Sequence, residues 1–259
     1  VALEVHSREG VAMIHAVLVG GSGLVGGHVA ALLAMRPDVD LAAIVRRSGA
    51  VRDKLPEPLR GRVREVSFAF DDEKAYPRLG ADPELACDVI FCCVGTTMKQ
   101  AGSKAAFLAV DRDIPRALIA RAKELPRRPA FGLVSSTGAA RPVGFYLSTK
   151  AVVERLLLAS GLPHVIVRPS LLLGTRPELR LGEALAAATV PAVFRALGAV
   201  GLDRHEAIAA MKPIEARDVA RALVATTLRL TQSSEAGAAG SVILEGRALA
   251  EAARAYDGA

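Results

Sequence analysis

The chain has 259 residues, 51% of them hydrophobic and 23% charged, with 33 basic and 27 acidic side chains and a formal net charge of +6. Those proportions exclude a disordered chain and suffice for one large core. The basic residues are interleaved with acidic ones, aromatics make up 4% and Trp is absent, which excludes a basic stripe or stacking platform for nucleic acid.

The first twelve residues, "VALEVHSREGVA", have no charged region followed by an apolar one, so they read as an N-terminal extension rather than a secretory signal or an anchor. Met13 is a candidate start, because regular patterning begins at Ile14. "IHAVLVG" is a buried-type strand and Leu24 to Met35 an apolar helix. Between them Gly20, Gly23 and Gly26 recur at three-residue intervals. A chain that must turn sharply, touch a pyrophosphate with its backbone and pack a new helix against a sheet needs positions without Cβ. The expected cradle is Gly20, Ser22, Gly23, Leu24, Val25 and Gly26. Gly21, Gly23 and Gly26 also satisfy G-x-G-x-x-G, so spacing leaves both registers open.

The second strand, "LAAIVRR", ends in Arg46 and Arg47. Arginine at that edge meets the 2′-phosphate of NADP, whereas an acid would accept from the 2′-hydroxyl of NAD, so NADP (NADPH) is expected in preference. Asp40 precedes the strand and lies at its wrong edge. Asp71, after the third strand "RVREVSF", is placed to receive the adenine amino group. The fourth strand, "DVIFCCVG", leads to Gly95 and Thr96, which would run along the cofactor. Cys87, Cys92 and Cys93 make neither a disulfide framework nor a metal-ligand pattern; they read as core fillers in a reducing, cytoplasmic setting, with no metal.

Two further strands, "AFGLVSS" and "PHVIVRP", complete an alternation of strand and helix. That alternation predicts an α/β fold with a doubly wound parallel sheet, Rossmann-like, over residues 13–170. Residues 171–259 are expected to form a small substrate-side lobe and C-terminal elements integrated with that core. There Ala184 to Leu202 approaches membrane length, but Pro191 and Arg195 interrupt it, so a buried or lid-like helix pair is expected and no stable membrane insertion. A helix from Ala216 to Arg229 and the apolar run "GSVILEG" close the pattern.

The chemistry concentrates in "FGLVSSTGAARPVGFYLSTK". Ser135, Ser136 and Thr137 end the fifth strand shortly before Tyr146, and Lys150 follows Tyr146 by four residues, one helical turn on the same face. An ammonium beside a phenol favours its phenolate form. The expected catalytic set is therefore Tyr146 as acid/base, Lys150 orienting it and the nicotinamide ribose, and Ser136 donating to the substrate oxygen, with Ser135 as the alternative hydroxyl.

These motifs, G20-x-x-G23-x-x-G26, Ser135-Ser136, Y146-x-x-x-K150 and "VIVRPS", resemble the short-chain dehydrogenase/reductase superfamily in its extended, atypical branch. "FCCVGTTMKQAG", "AVDRD", "LVSSTGA" and "YLSTKAVVE" are similar, more narrowly, to the NADP-binding subgroup of the HIV Tat-interacting oxidoreductase. The resemblance implies a dinucleotide across the strand ends, Arg168 and Pro169 opening the segment after the sixth strand, and Pro169 and Ser170 near the nicotinamide. It further implies hydride transfer on a small carbonyl or alcohol substrate, and a possible homodimer through the Tyr146 helix. Two other roles occur among such folds: cofactor-binding redox sensors or regulators without turnover, and nucleotide-sugar epimerases.

Overall fold

The computed structural model describes residues 12–67, 87–173, 212–234 and 240–256. Nine strands occur among them: β1 (Ile14–Val19), β2 (Val39–Val45), β3 (Val63–Ser67), β4 (Val89–Cys92), β5 (Ala130–Val134), β6 (His164–Arg168), β7 (Leu172–Leu173), β8 (Ile214–Glu215) and β9 (Ser241–Glu245). Seven form one sheet in the order β3-β2-β1-β4-β5-β6-β9, every neighbouring pair parallel, while β7 and β8 pair as a separate short ribbon. The expected Rossmann-like architecture is the observed one. Strand order reverses between β1 and β4, which opens a crevice at the carboxyl ends of the strands.

The strands lack polar alternation because helices cover both faces. Consecutive side chains point to opposite sides. Leu18, Leu41 and Phe91 pack with α1 (Leu24–Ala34), whereas Val17, Ile90 and Phe131 pack on the other face. Among the helices in chain order, α2 (Glu57–Arg60), α3 (Met98–Ala101) and α4 (Lys104–Leu108) are short, and α5 (Ile114–Glu124) and α6 (Gly144–Leu158) cover the second face through Leu118 and Leu157. α7 (Ala216–Ser234) and α8 (Gly246–Ala255) join α1 on the first face through Leu223 and Leu249. α7 thus extends beyond the Arg229 expected for it.

Two features place functional residues. Residues Ala109–Asp113, between α4 and α5, form a π-helical turn. Pro115 has no N–H to give to the turn before it, so the regular α-helical ladder cannot run through. The widened turn buries Asp111. Secondly, β9 lies parallel to β6 as the seventh strand, so the region expected as a substrate-side lobe supplies one strand and two helices to the main sheet layer. Asp71 and Ala184 to Leu202 lie outside the described residues. No helix among the described residues is long and apolar enough to cross a membrane.

Candidate active site

Beyond Val19 the chain turns at Gly20, with φ at +88°. A Cβ on Gly20 would stand 2.5 Å from the Cys93 carbonyl carbon, and one on Gly26 would stand 2.1 Å from the Gly20 oxygen. At Gly21 the nearest atoms that a Cβ would meet belong to the side chains of Val51 and Leu18. Backbone cannot yield as a side chain end can, so the G20-x-x-G23-x-x-G26 register is the one that packing requires. The Gly23 N–H donates to the Gly20 oxygen at 3.0 Å, and Gly23 is the N-cap of α1. No side chain caps that helix and no acid lies in its first turn, around Leu24, Val25 and Gly26. Its open N–H groups and positive dipole end suit a phosphate. Exposed Ser22 presents its carbonyl to Lys54, whose Nζ donates to it at 2.7 Å.

Arg46 and Arg47 project into solvent just past β2, without ion-pair partners among the described residues. The loop after them is organised from below. Glu65 accepts from the backbone N–H groups of Gly49, Val51 and Arg52, and its side chain is 3% exposed. Burial pushes the Glu65 pKa up, but these three hydrogen bonds and the Arg52 charge outweigh it and hold the carboxyl below its ordinary value.

At the end of β4, Gly95 and Thr96 pass beside a buried pair. The Thr96 N–H donates to Asp111 Oδ2 at 2.8 Å, and Lys150 Nζ lies 2.8 Å from Asp111 Oδ1. Asp111 Oδ1 accepts no aligned hydrogen bond, so the contact to Lys150 is a charge pair more than a directed bond. A Cβ on Gly95 would come within 3.7 Å of both partners.

One face of α6 carries Tyr146, Lys150 and Glu154, each four residues apart. Tyr146 is 40% exposed; Lys150 and Glu154 are buried. Lys150 Nζ stands 5.9 Å from the centre of the Tyr146 ring, which Phe107 of α4 flanks. Below them the Ser135 hydroxyl donates to Glu154, which also accepts from Arg168 at 2.6 and 3.0 Å. Arg168 reaches Glu245 of β9 at 3.2 Å as well. The hydrogen bond to Glu154 raises the Arg168 pKa against the opposing effect of burial.

Ser135, the alternative hydroxyl, is therefore buried with its Oγ committed to Glu154. Ser136 is half-buried, and among the described residues its hydroxyl makes only a long 3.4 Å contact to the Thr137 oxygen. The Thr137 N–H and Oγ1 donate to the Pro169 and Arg168 oxygens at 2.9 and 3.0 Å, locking the Ser136 loop to the segment after β6. Ser170 donates to the Lys212 carbonyl, so its hydroxyl fastens β7 to the approach of β8 and is not free. Asp111, Glu154 and Lys54 are among the participants to which the sequence alone assigned no role. The signal for Glu154 was its position one turn beyond Lys150; for Asp111 it was an acid inside the otherwise apolar "FLAVD".

Burial pushes the thiols of Cys87 and Cys92 up to about 12, and that of Cys93 well above its usual value. They stay protonated at neutral pH and act as small apolar fillers. Among the described residues no cluster of three or more His, Cys, Asp or Glu could hold a metal ion.

Residues 20–179 match the family model described as NAD(P)H-binding. The chain is 28% identical over 211 residues to "Protein FMP52, mitochondrial" of Candida albicans, covering 80% of this chain and 85% of that one. It is 39% identical over 104 residues to "Protein HTATIP2" of Rattus norvegicus, covering 38% and 41% of the two chains. A solved short-chain type dehydrogenase/reductase from Mycobacterium ulcerans superposes with a TM-score of 0.60 at 17% identity, over 90% of this chain and 89% of that one, a likeness of fold. With the glycine cradle and the parallel sheet, the match over residues 20–179 establishes that the chain belongs to the NAD(P)H-binding family.

Proposed function

We propose that the protein is an NADP-dependent oxidoreductase that interconverts a small carbonyl compound and its alcohol, with Tyr146 as acid/base. The observation that carries this reading is the single face of α6 on which half-exposed Tyr146 precedes buried Lys150, at the strand ends beside the glycine cradle. The uncapped start of α1 would hold the pyrophosphate, and Arg46 and Arg47 the 2′-phosphate. When bound, NADPH supplies the hydride for carbonyl reduction.

In that reduction the Ser136 hydroxyl donates to the carbonyl oxygen and draws its electron pair outward. Tyr146 gives its phenolic proton to the same oxygen as the carbonyl carbon is reduced, so the product leaves as the alcohol. Lys150, with one side against Asp111, has N–H groups left for the Tyr146 oxygen and a ribose hydroxyl. Asp111 and Thr96 hold that ammonium in place, and Glu154 with Arg168 fixes the lower part of α6 to β5, β6 and β9. The three protonated thiols fit a reducing compartment.

The test is Tyr146→Phe. Oxidation of NADPH with aldehydes and ketones should fall by about a thousandfold, while NADPH binding followed by calorimetry changes by less than about threefold. Retained turnover would overturn the role of Tyr146. For the cofactor, Arg46→Ala with Arg47→Ala should weaken NADPH by about tenfold or more and leave NADH affinity nearly unchanged.

A further inference from the structure

A cavity of about 610 Å³ opens where β6 and β9 end and α7 and α8 begin, and neither Tyr146 nor the glycine loop lines it. Its volume is that of a ligand site. The floor is apolar, built from Leu173, Ile214, Leu249, Ala250 and Ala253. Around that floor stand Arg168, Lys212, Arg217, Arg221, Arg247 and Arg254, opposed within the lining only by Glu215 and Asp218.

The positive charge is only partly consumed internally. Arg168 is taken by Glu154 and Glu245, and Asp218 is shared by Arg217 and Arg221. Lys212, Arg247 and Arg254 are exposed and have no ion pair among the described residues. The first turns of α7 and α8 also border the cavity, through Arg217 and Asp218 and through Gly246 and Arg247, and helix N-termini add positive potential. Cations gathered over an apolar concavity repel one another until an anion enters; the apolar floor then shelters whatever chain the anion carries.

We propose that this cavity binds a soluble amphipathic anion, its carboxylate or phosphate against Lys212, Arg247 and Arg254 and its hydrocarbon over Leu249 and Ala253. Resting on the oxidoreductase reading above, the anion is the charged tail of the carbonyl substrate. The two sites are neighbours through the backbone: Arg168 lines the cavity, and its carbonyl accepts the Thr137 hydroxyl immediately beside Ser136. A substrate chain lying across the carboxyl end of β6, over the Ser136 loop that Thr137 fastens there, would present a carbonyl at one end and a carboxylate or phosphate at the other.

Calorimetric titration of the whole chain with octanoate, octyl phosphate and octanol tests the site. Both anions should bind at least about tenfold more tightly than octanol, and Lys212→Ala with Arg247→Ala and Arg254→Ala should erase that margin while NADPH affinity is unchanged. Equal affinity for octanol, or octanoate affinity untouched in the triple variant, overturns the proposal. So does binding to phosphatidylserine vesicles without binding to octanoate, which would assign the cations to a membrane surface. A kinetic arm compares 8-oxooctanoate with octanal as NADPH-dependent substrates. The expected kcat/KM ratio is about ten or more in the parent chain and about one in the triple variant. Octanoate binding with neither aldehyde reduced sinks the hydride-transfer reading and leaves the anion site standing; reduction of both aldehydes at equal efficiency does the reverse.

Discussion

Lys150 Nζ lies 2.8 Å from Asp111 Oδ1 in a pair whose side chains are 9% and 0% exposed, and the other Asp111 oxygen is held by the Thr96 N–H. A lysine buried to this degree needs a counter-charge, and here it comes from the π-turn. Removing one member leaves the other as an unpaired buried charge, which typically costs about 3–5 kcal/mol. Asp111→Ala should therefore lose about that much in urea unfolding, whereas Asp111→Asn, which retains an acceptor for Thr96, should lose less. Both variants free the Lys150 ammonium to shift, so we expect kcat to fall by about tenfold or more with NADPH affinity changing by less than about threefold. Unfolding curves and turnover unchanged in both variants would refute the pairing.

Glu154 carries the second prediction. It joins Ser135 at the end of β5 to Arg168 at the end of β6, and Arg168 in turn reaches Glu245 on β9. Glu154→Gln keeps the volume and one acceptor oxygen but removes the charge that Arg168 grips in two places. We expect a loss of about 2–4 kcal/mol in stability. Ser135→Ala removes only one donor to the same carboxylate, and about 1 kcal/mol is expected. Equal effects from the two substitutions, measured by denaturant midpoint, would mean that Arg168 does not depend on Glu154.

The contrast between those two pairs and the rest of the site shows what a sequence can disclose. Buried parallel strands read plainly, because Val, Ile, Leu and Ala fill both faces and each run ends in Gly, Ser or Arg where the crevice begins. Tyr146 and Lys150 were legible because four residues make one helical turn. Asp111 was not, since its meeting with Lys150 depends on a local widening of the helix before Pro115, and no periodicity encodes that. Ser135 and Ser136 are adjacent and chemically identical in the text; only the placement of Glu154 behind the strand separates the committed hydroxyl from its neighbour. The parallel pairing of β9 with β6 joins residues more than seventy positions apart, and the cationic cavity at their ends follows from that pairing.

Adjacent glycines in α1 give a third test with an internal control. A Cβ at Gly26 would meet the Gly20 oxygen at 2.1 Å, whereas one at Gly27 would find only the Gly21 oxygen at an ordinary 3.6 Å. Gly27→Ala removes a flexible residue from a helix interior and should stabilise by roughly 0.5–1 kcal/mol, leaving NADPH binding intact. Gly26→Ala must push the cradle apart, with a destabilisation of about 1–3 kcal/mol and a loss of NADPH affinity of about tenfold or more. Thermal unfolding with and without NADPH reads both effects, and identical behaviour of the two variants would contradict the register of the cradle.

Glu65 predicts a pH dependence. Its carboxylate accepts three backbone N–H groups from the loop that follows Arg46 and Arg47, and its pKa in the folded chain is below the ordinary 4.5. A group whose folded pKa is depressed contributes stability that is fully present above the unfolded value and is lost as pH falls through the folded one. The contribution should thus be complete above about pH 5 and decline steadily as the medium is acidified past pH 4.5. Glu65→Gln, which cannot ionise, should be less stable than the parent near neutrality by about 1–2 kcal/mol, and the gap should narrow as acid is added. Because the same loop presents Arg46 and Arg47, the variant should also bind NADPH more weakly at neutral pH, while NADH, with no 2′-phosphate to place, is affected less. A stability gap that stayed constant from neutral pH to below 4.5 would show that the loop does not rest on the charge of Glu65.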